Sequence, residues 1–190
     1  MNLKLAIAFL CAAAGCGGEV RLRRTDARML QSVTALLRQT GCELLEEQDA
    51  VLVRKTGKTG IISDVKTAAY PGFPTDCQAI LTAALLRAEG ESRIEETVFE
   101  DRFHHVPELQ KLGAKLEIHH NTVHISGVRT LSGAKLTARD LRGGAALVLA
   151  AMQAEGESRV TGLEHIDRGY ERFAEKLRAL GANIERCFDA

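Results

Sequence analysis

The stretch Gly90-Glu91-Ser92-Arg93-Ile94 returns 66 residues later as Gly156-Glu157-Ser158-Arg159-Val160, and an eroded copy, Gly18-Glu19-Val20-Arg21-Leu22, stands 72 residues before it. Recurrence at a nearly fixed period marks a chain built from one repeated supersecondary unit. Downstream of each copy lies an amphipathic helix signal that stops at glycine. Met29, Val33, Leu36 and Leu37 carry it before Gly41; Val106, Leu109 and Leu112 before Gly113; Tyr170, Phe173, Ala174, Leu177 and Leu180 before Gly181. Pro107 suits a first helical turn. From leading to stopping glycine the distance is 23, 23 and 25 residues, a spacing that chance would not keep three times.

Strand signals complete each unit. Cys42-Glu43-Leu44-Leu45 and Ala114-Lys115-Leu116-Glu117-Ile118 turn back into Ala50-Val51-Leu52-Val53 and Thr122-Val123-His124-Ile125. The third copy offers only Ala182-Asn183-Ile184-Glu185. Upstream of each glycine lie Leu5 to Ala14, Ala79 to Ala88 and Ala145 to Ala154, apolar almost all the way round. A helix with no polar face must be buried on every side. The expected fold is therefore α/β (α+β): a pseudo-threefold inside-out barrel, one domain over 1–190, with repeats 1–64, 65–128 and 129–190 and the sheets outside the helices.

This period also decides the opening residues, Met1 to Gly18. Their single lysine, apolar run and small residues before Cys16 imitate an export or lipoprotein signal. The 72-residue offset, however, lays Leu5 to Ala14 over Cys77 to Leu86, deep inside the chain, so the stretch reads as the first buried helix. On this reading Met1 falls inside a unit whose preceding strand is absent.

Composition excludes little. Twenty-five basic residues balance twenty-five acidic ones, so nothing calls for nucleic acid or an anionic membrane. Five cysteines, Cys11, Cys16, Cys42, Cys77 and Cys187, are odd in number and scattered, without a C-x-x-C pair, as in a reduced cytoplasmic chain. Gly57-Lys58-Thr59 ends like a phosphate-binding P-loop, but the required glycine at 52 is Leu52. His104, His105, His119, His120 and His124 lack ligand spacing. We expect no metal and no cofactor.

Chemistry gathers in three places. In Phe73-Pro74-Thr75-Asp76-Cys77-Gln78, Thr75 and Gln78 have capping-box spacing, which puts Asp76 in a first helical turn. A carboxylate there complements the helix dipole, and serves as a base only for a proton that becomes acidic during reaction. Arg102 and Arg168 stand in equivalent loops between a strand and an amphipathic helix, where two guanidinium groups suit a phosphate or carboxylate; ion pairs with Asp101 and Asp167 are the alternative. Arg139-Asp140-Leu141-Arg142 precedes the third buried helix much as Asp76 precedes the second.

On these residues the chain resembles the UDP-N-acetylglucosamine 1-carboxyvinyltransferases, enolpyruvyl transferases of peptidoglycan synthesis. The likeness is densest in Phe73-Pro74-Thr75-Asp76-x-Gln78, in Glu96-Thr97-Val98-Phe99-Glu100-x-Arg102-Phe103-x-His105-Val106-Pro107-Glu108-Leu109 and in His165-Ile166-Asp167-Arg168-Gly169-Tyr170-Glu171-Arg172. Leu131-Ser132-Gly133-Ala134 and the run from Leu177 to Glu185 extend it. The resemblance implies two such domains with the site in their cleft, and it makes Asp76 the base for the sugar 3-hydroxyl. It also implies that the Val98 backbone lies at UDP-N-acetylglucosamine, that Arg102, Arg168 and Arg142 face phosphoenolpyruvate, and that Asp140 sits near the reacting centre. The family's other domain carries a loop cysteine, a lysine and further arginines, and none of the five cysteines here matches that loop. The chain thus reads as one domain, with the second catalytic domain absent and a separate N-terminal-half chain as a candidate partner. The alternative function is a non-catalytic nucleotide-sugar-binding or interaction module left by truncation.

Overall fold

Helices with no polar face need cover on all sides, and in the computed structural model, which describes residues 3–187, they have it. Helix α1 (Leu3–Cys16) buries every residue from Leu5 to Ala14; α3 (Gln78–Leu85) buries all of its residues; α5 (Leu141–Ala151) buries Gly143 to Ala150. Each of the three packs against the other two. Small residues make the approach possible: a Cβ on Gly15 would stand 3.1 Å from the Ala84 Cα and 3.0 Å from the Gln153 amide.

Three sheets surround these helices. Strands β1 (Gly18–Arg23), β2 (Glu43–Glu47) and β3 (Ala50–Lys55) form an antiparallel sheet in the order β1-β3-β2. Strands β4 (Val65–Lys66), β5 (Glu91–Glu95), β6 (Lys115–His119) and β7 (Thr122–Ser126) order as β4-β5-β7-β6, with β4 parallel to β5. The registers Val20↔Val53, Leu22↔Val51 and Ile94↔Val123 pair buried residues across the inner faces. Strands β8 (Lys135–Thr137) and β9 (Arg159–Thr161) make a parallel pair.

The amphipathic signals become α2 (Gln31–Gln39), α4 (Val106–Gln110) and α7 (Phe173–Ala179). The glycines at both ends are conformational requirements: Gly18, Gly90 and Gly156 have φ of 100, 128 and 84°, and Gly41, Gly113 and Gly181 have 82, 86 and 96°. In that left-handed region any side chain is strained.

The structure corrects four local expectations. Residues 182–185 form no strand, because among the described residues no second strand faces them; Ala182 N–H instead donates to the Leu177 carbonyl, and Arg178 Nε to the Ile184 carbonyl. Leu30, not Met29, enters the core, since a 3-10 turn over Ala27–Leu30 shifts the phase before α2; Met29 is 48 % exposed. Leu180, beyond the last turn of α7, is also half exposed. The supposed loop at His165 contains a short helix, α6 (Leu163–Asp167), packed on α5. Among the described residues no helix is long and apolar enough to cross a membrane.

Candidate active site

The loop before α3 is closed by its own backbone. Gly72 N–H donates to the Ala69 carbonyl and Ala68 N–H to the Phe73 carbonyl, both at 2.8 Å, and Phe73 is buried. Pro74 then leads into a 3-10 turn, Thr75–Cys77, that starts α3. The expected capping box does not form. The Thr75 hydroxyl donates to the Glu96 carboxylate at 2.7 Å instead of capping the turn, because that buried acceptor lies close by. Asp76 does occupy the first turn.

Cations converge on Asp76 from three elements. Arg142 Nε, from the first turn of α5, donates to Oδ1 at 2.5 Å, Lys4 Nζ, from the first turn of α1, meets Oδ2 at 2.6 Å, and Arg102 Nη1 stands 3.9 Å from Oδ1. Burial raises the Asp76 carboxyl, but the hydrogen bonds from Lys4 and Arg142 outweigh it and hold the pKa below the ordinary 3.8. Lys4, Asp76 and Arg142 are 72 and 66 residues apart, the offsets of the glycine-led copies. They hold the same position on three helices and meet where those helices begin.

Asp140 is committed elsewhere. As the N-cap of α5, its side chain accepts from the backbone N–H of Arg142 at 2.8 Å and of Gly143 at 3.0 Å, so it fixes the turn that delivers Arg142. Arg102 lies over the Phe99 ring, 4.2 Å from its centroid, and not on Asp101, which faces His104 at 3.3 Å. Val98 N–H donates to Glu96 Oε1 at 2.9 Å while its side chain is exposed. Arg168 is exposed just past α6 and does not reach the Asp76 cluster; neighbouring Gly169 packs on Leu141, and Asp167 pairs with Arg186 rather than Arg168. The structure therefore joins Asp76, Arg102 and Arg142, sets Asp140 and Val98 beside them, and leaves Arg168 on the rim.

Sequence reasoning missed Lys4 and Glu96. The repeat offset pointed to Lys4, whose charge instead read as part of a signal-like start. His105, fully buried beside Asp140, has its pKa lowered to about 4 by burial, and its Nε2 is unpartnered. Burial and the Asp76 charge push the Cys77 thiol up to about 12, so it is not a ready nucleophile. A cavity of about 530 Å³ lined by Glu96, Phe99, Phe103 and His104 adjoins the Val98 loop, but Asp76 and Arg142 do not line it. The Asp76 cluster instead lies outside it, its side chains about a quarter to a third exposed. Such a cluster can accept a proton at one carboxylate while holding an anion between guanidinium groups.

Residues 3–177 match the family described as EPSP synthase (3-phosphoshikimate 1-carboxyvinyltransferase). The chain belongs to this family. Within it, the chain is 48% identical over 183 residues to UDP-N-acetylglucosamine 1-carboxyvinyltransferase 2 of Carboxydothermus hydrogenoformans, covering 95% of this chain and 43% of that protein. It is 51% identical over 178 residues to UDP-N-acetylglucosamine 1-carboxyvinyltransferase of Salmonella paratyphi B, covering 94% and 42%. The chain thus spans less than half the length of these curated relatives. Among solved structures it superposes on the enolpyruvyl transferase NikO from Streptomyces tendae with a TM-score of 0.85 at 27% identity, over 96% of this chain and 43% of that one. EPSP synthase from Acinetobacter baumannii shares the fold at a TM-score of 0.79 and 18% identity, over 98% and 47%.

Proposed function

We propose that this chain supplies one domain, 1–190 in repeats 1–64, 65–128 and 129–190, of a cytoplasmic UDP-N-acetylglucosamine 1-carboxyvinyltransferase. The reaction transfers enolpyruvate from phosphoenolpyruvate to the sugar 3-hydroxyl and releases phosphate, the first committed step of peptidoglycan synthesis. Asp76 accepts the hydroxyl proton as the sugar oxygen bonds to the phosphoenolpyruvate C2, whose methylene has gained a proton. Loss of a proton from the methyl group so formed, together with carbon–oxygen cleavage, then expels phosphate and restores the carbon–carbon double bond. A base as weak as the Asp76 carboxylate suffices, because attack on the electron-poor carbon makes the hydroxyl proton acidic.

The Val98 backbone flanks the nucleotide sugar, Arg102, Arg142 and Arg168 face the anionic donor, and Asp140 holds the turn that aims Arg142. The observation that carries this reading is the convergence of Arg142, Lys4 and Arg102 on Asp76, one carboxylate among three cations. Such a cluster has positive charge to spare for an anion as well as a base to take a proton. Relatives of about half identity bear the same enzyme name, which supports the substrate pair.

On this reading the remaining groups belong to a second domain. Phosphate release should therefore be absent from the purified chain given both substrates, and should appear when an N-terminal-half chain is added. Release by the chain alone would show that it carries a complete site. No release from the mixture, together with no detectable UDP-N-acetylglucosamine binding, would overturn the reading.

A further inference from the structure

Glu96 is 2 % exposed, and among the described residues no cation pairs with it. A buried carboxyl group needs other donors to offset lost hydration, and here they come from three segments. Oε1 accepts from the Thr67 hydroxyl at 2.8 Å and from the Val98 and Phe99 N–H groups at 2.9 and 3.2 Å, while Oε2 accepts from the Thr75 hydroxyl at 2.7 Å. Its backbone is pinned as well: Glu96 N–H donates to the Asn121 carbonyl at 2.7 Å, and the Asn121 side-chain amide donates to the Glu96 carbonyl at 3.0 Å.

The bonds from Thr75, Val98 and Phe99 end at or beside groups of the Asp76 cluster. Thr75 precedes Asp76. The two amides shape the turn that presents Val98, and the Phe99 ring in that turn is the face on which Arg102 lies. Thr67 is tied in turn to Thr97, whose N–H donates to its hydroxyl at 2.8 Å.

The geometry points to Glu96 as the positioning residue that sets Asp76, Val98 and Arg102 in register with one another. It touches no substrate itself; it fixes the distance between two loops that must grip one ligand. This rests on the proposed nucleotide-sugar reading for its ligand, not for its structural content.

The test combines E96A, E96Q and T75V in the full chain, with amide exchange followed by NMR and UDP-N-acetylglucosamine binding by calorimetry. E96A should lose exchange protection at Val98 and Phe99 while the β1–β3 amides keep theirs, and should bind about tenfold or more weakly, the loss expected from one or more missing charge-assisted bonds. E96Q keeps an acceptor for the amides and a donor for Thr75, so it should restore protection and most of the affinity. T75V releases only the Asp76 side: the Cys77 amide should exchange faster and binding should weaken several-fold, with Val98 and Phe99 still protected. A merely structural glutamate would lower stability without changing affinity in the folded fraction. Folded E96A with unchanged Val98 and Phe99 exchange would overturn the assignment. Should E96A not fold, T75V with unaltered Cys77 exchange and affinity would do the same. If the unaltered chain binds no nucleotide sugar and the mixture with an N-terminal-half chain releases no phosphate, the substrate reading fails, and the exchange data alone decide the role of Glu96.

Discussion

Replacing Asp76 by asparagine keeps the side-chain shape and removes the one charge that Lys4, Arg142 and Arg102 share. Two charge-assisted hydrogen bonds are lost or weakened, at 2.5 and 2.6 Å, in a site where the partners' side chains are only 25 to 31 % exposed. Each such bond contributes about 1.5–3 kcal/mol, and part of that returns because a neutral amide is cheaper to bury. The net expected loss is about 2 kcal/mol near neutral pH, or about 4–8 °C in melting temperature for a chain of this size. Urea unfolding of D76N and the unaltered chain measures it. The pH dependence carries the sign. The Asp76 carboxyl is depressed below 3.8 in the folded chain, so its contribution is fully present above that value and fades as pH falls through the folded pKa. The gap between the two proteins should stay level from about pH 8 to about pH 5 and close only below about pH 4. A gap already closing near pH 6, or none at neutral pH, would refute a depressed, doubly paired carboxylate. Adding K4M completes a double-mutant cycle, and a coupling of about 1 kcal/mol is expected between Lys4 and Asp76; additive effects would dismiss the contact.

A Cβ on Gly133 would fall 2.1 Å from the Glu157 carbonyl oxygen, whereas one on Gly113 meets open space but inherits a φ of 86°. Gly133→Ala should therefore cost about 2–4 kcal/mol and Gly113→Ala about 1 kcal/mol by thermal melting; equal effects would contradict the packing. Because Lys4 and Asp76 sit at equivalent helix starts, D76K alone should destabilise by crowding four cations, and combining it with K4D should regain most of that loss in urea melts. The double variant, mixed with an N-terminal-half chain, should still release no phosphate, since its carboxylate now stands on another helix. Thiol titration of the folded chain should label Cys16 and Cys187, the two exposed cysteines, and reach Cys11, Cys42 and Cys77 only in denaturant.

What could be read in the sequence was whatever a single position or a short period enforces. A left-handed φ demands glycine, so Gly18, Gly90 and Gly156 and Gly41, Gly113 and Gly181 punctuated the chain visibly. An all-apolar helix can only be interior, which identified Leu5 to Ala14 without any partner in view. Strands β4 and β8, of two and three residues, exist only through their parallel neighbours and leave no periodic trace. Thr75 misled for a related reason: its spacing to Gln78 favoured a local cap, and a carboxylate 21 residues away took the hydroxyl instead. Residues 182–185 carried strand-like composition, but the ladder that would use it is not formed.

The site was legible to the extent that it obeys the repeat. The offsets that align the glycine-led strands carry Lys4 onto Asp76 and Asp76 onto Arg142, so three positions with no local reason to meet are brought together by the packing of equivalent helices. Asp140, which looks like the counterpart of Asp76 because both are acids before a buried helix, is two residues out of register and caps the helix instead. The pseudo-symmetry also explains the charge pattern. Three helix starts each contribute a partial positive end at the same point, and identical cations there would repel. Placing the single anion on the middle unit makes the cluster stable while leaving it net positive. Placement by symmetry ends there. Arg102 reaches the cluster through Phe99, and Phe99 is held by Glu96, on loops that differ from unit to unit, so the two parts of the cluster come from different physical sources: the core fixes Asp76 and Arg142, and a buried glutamate fixes the rest.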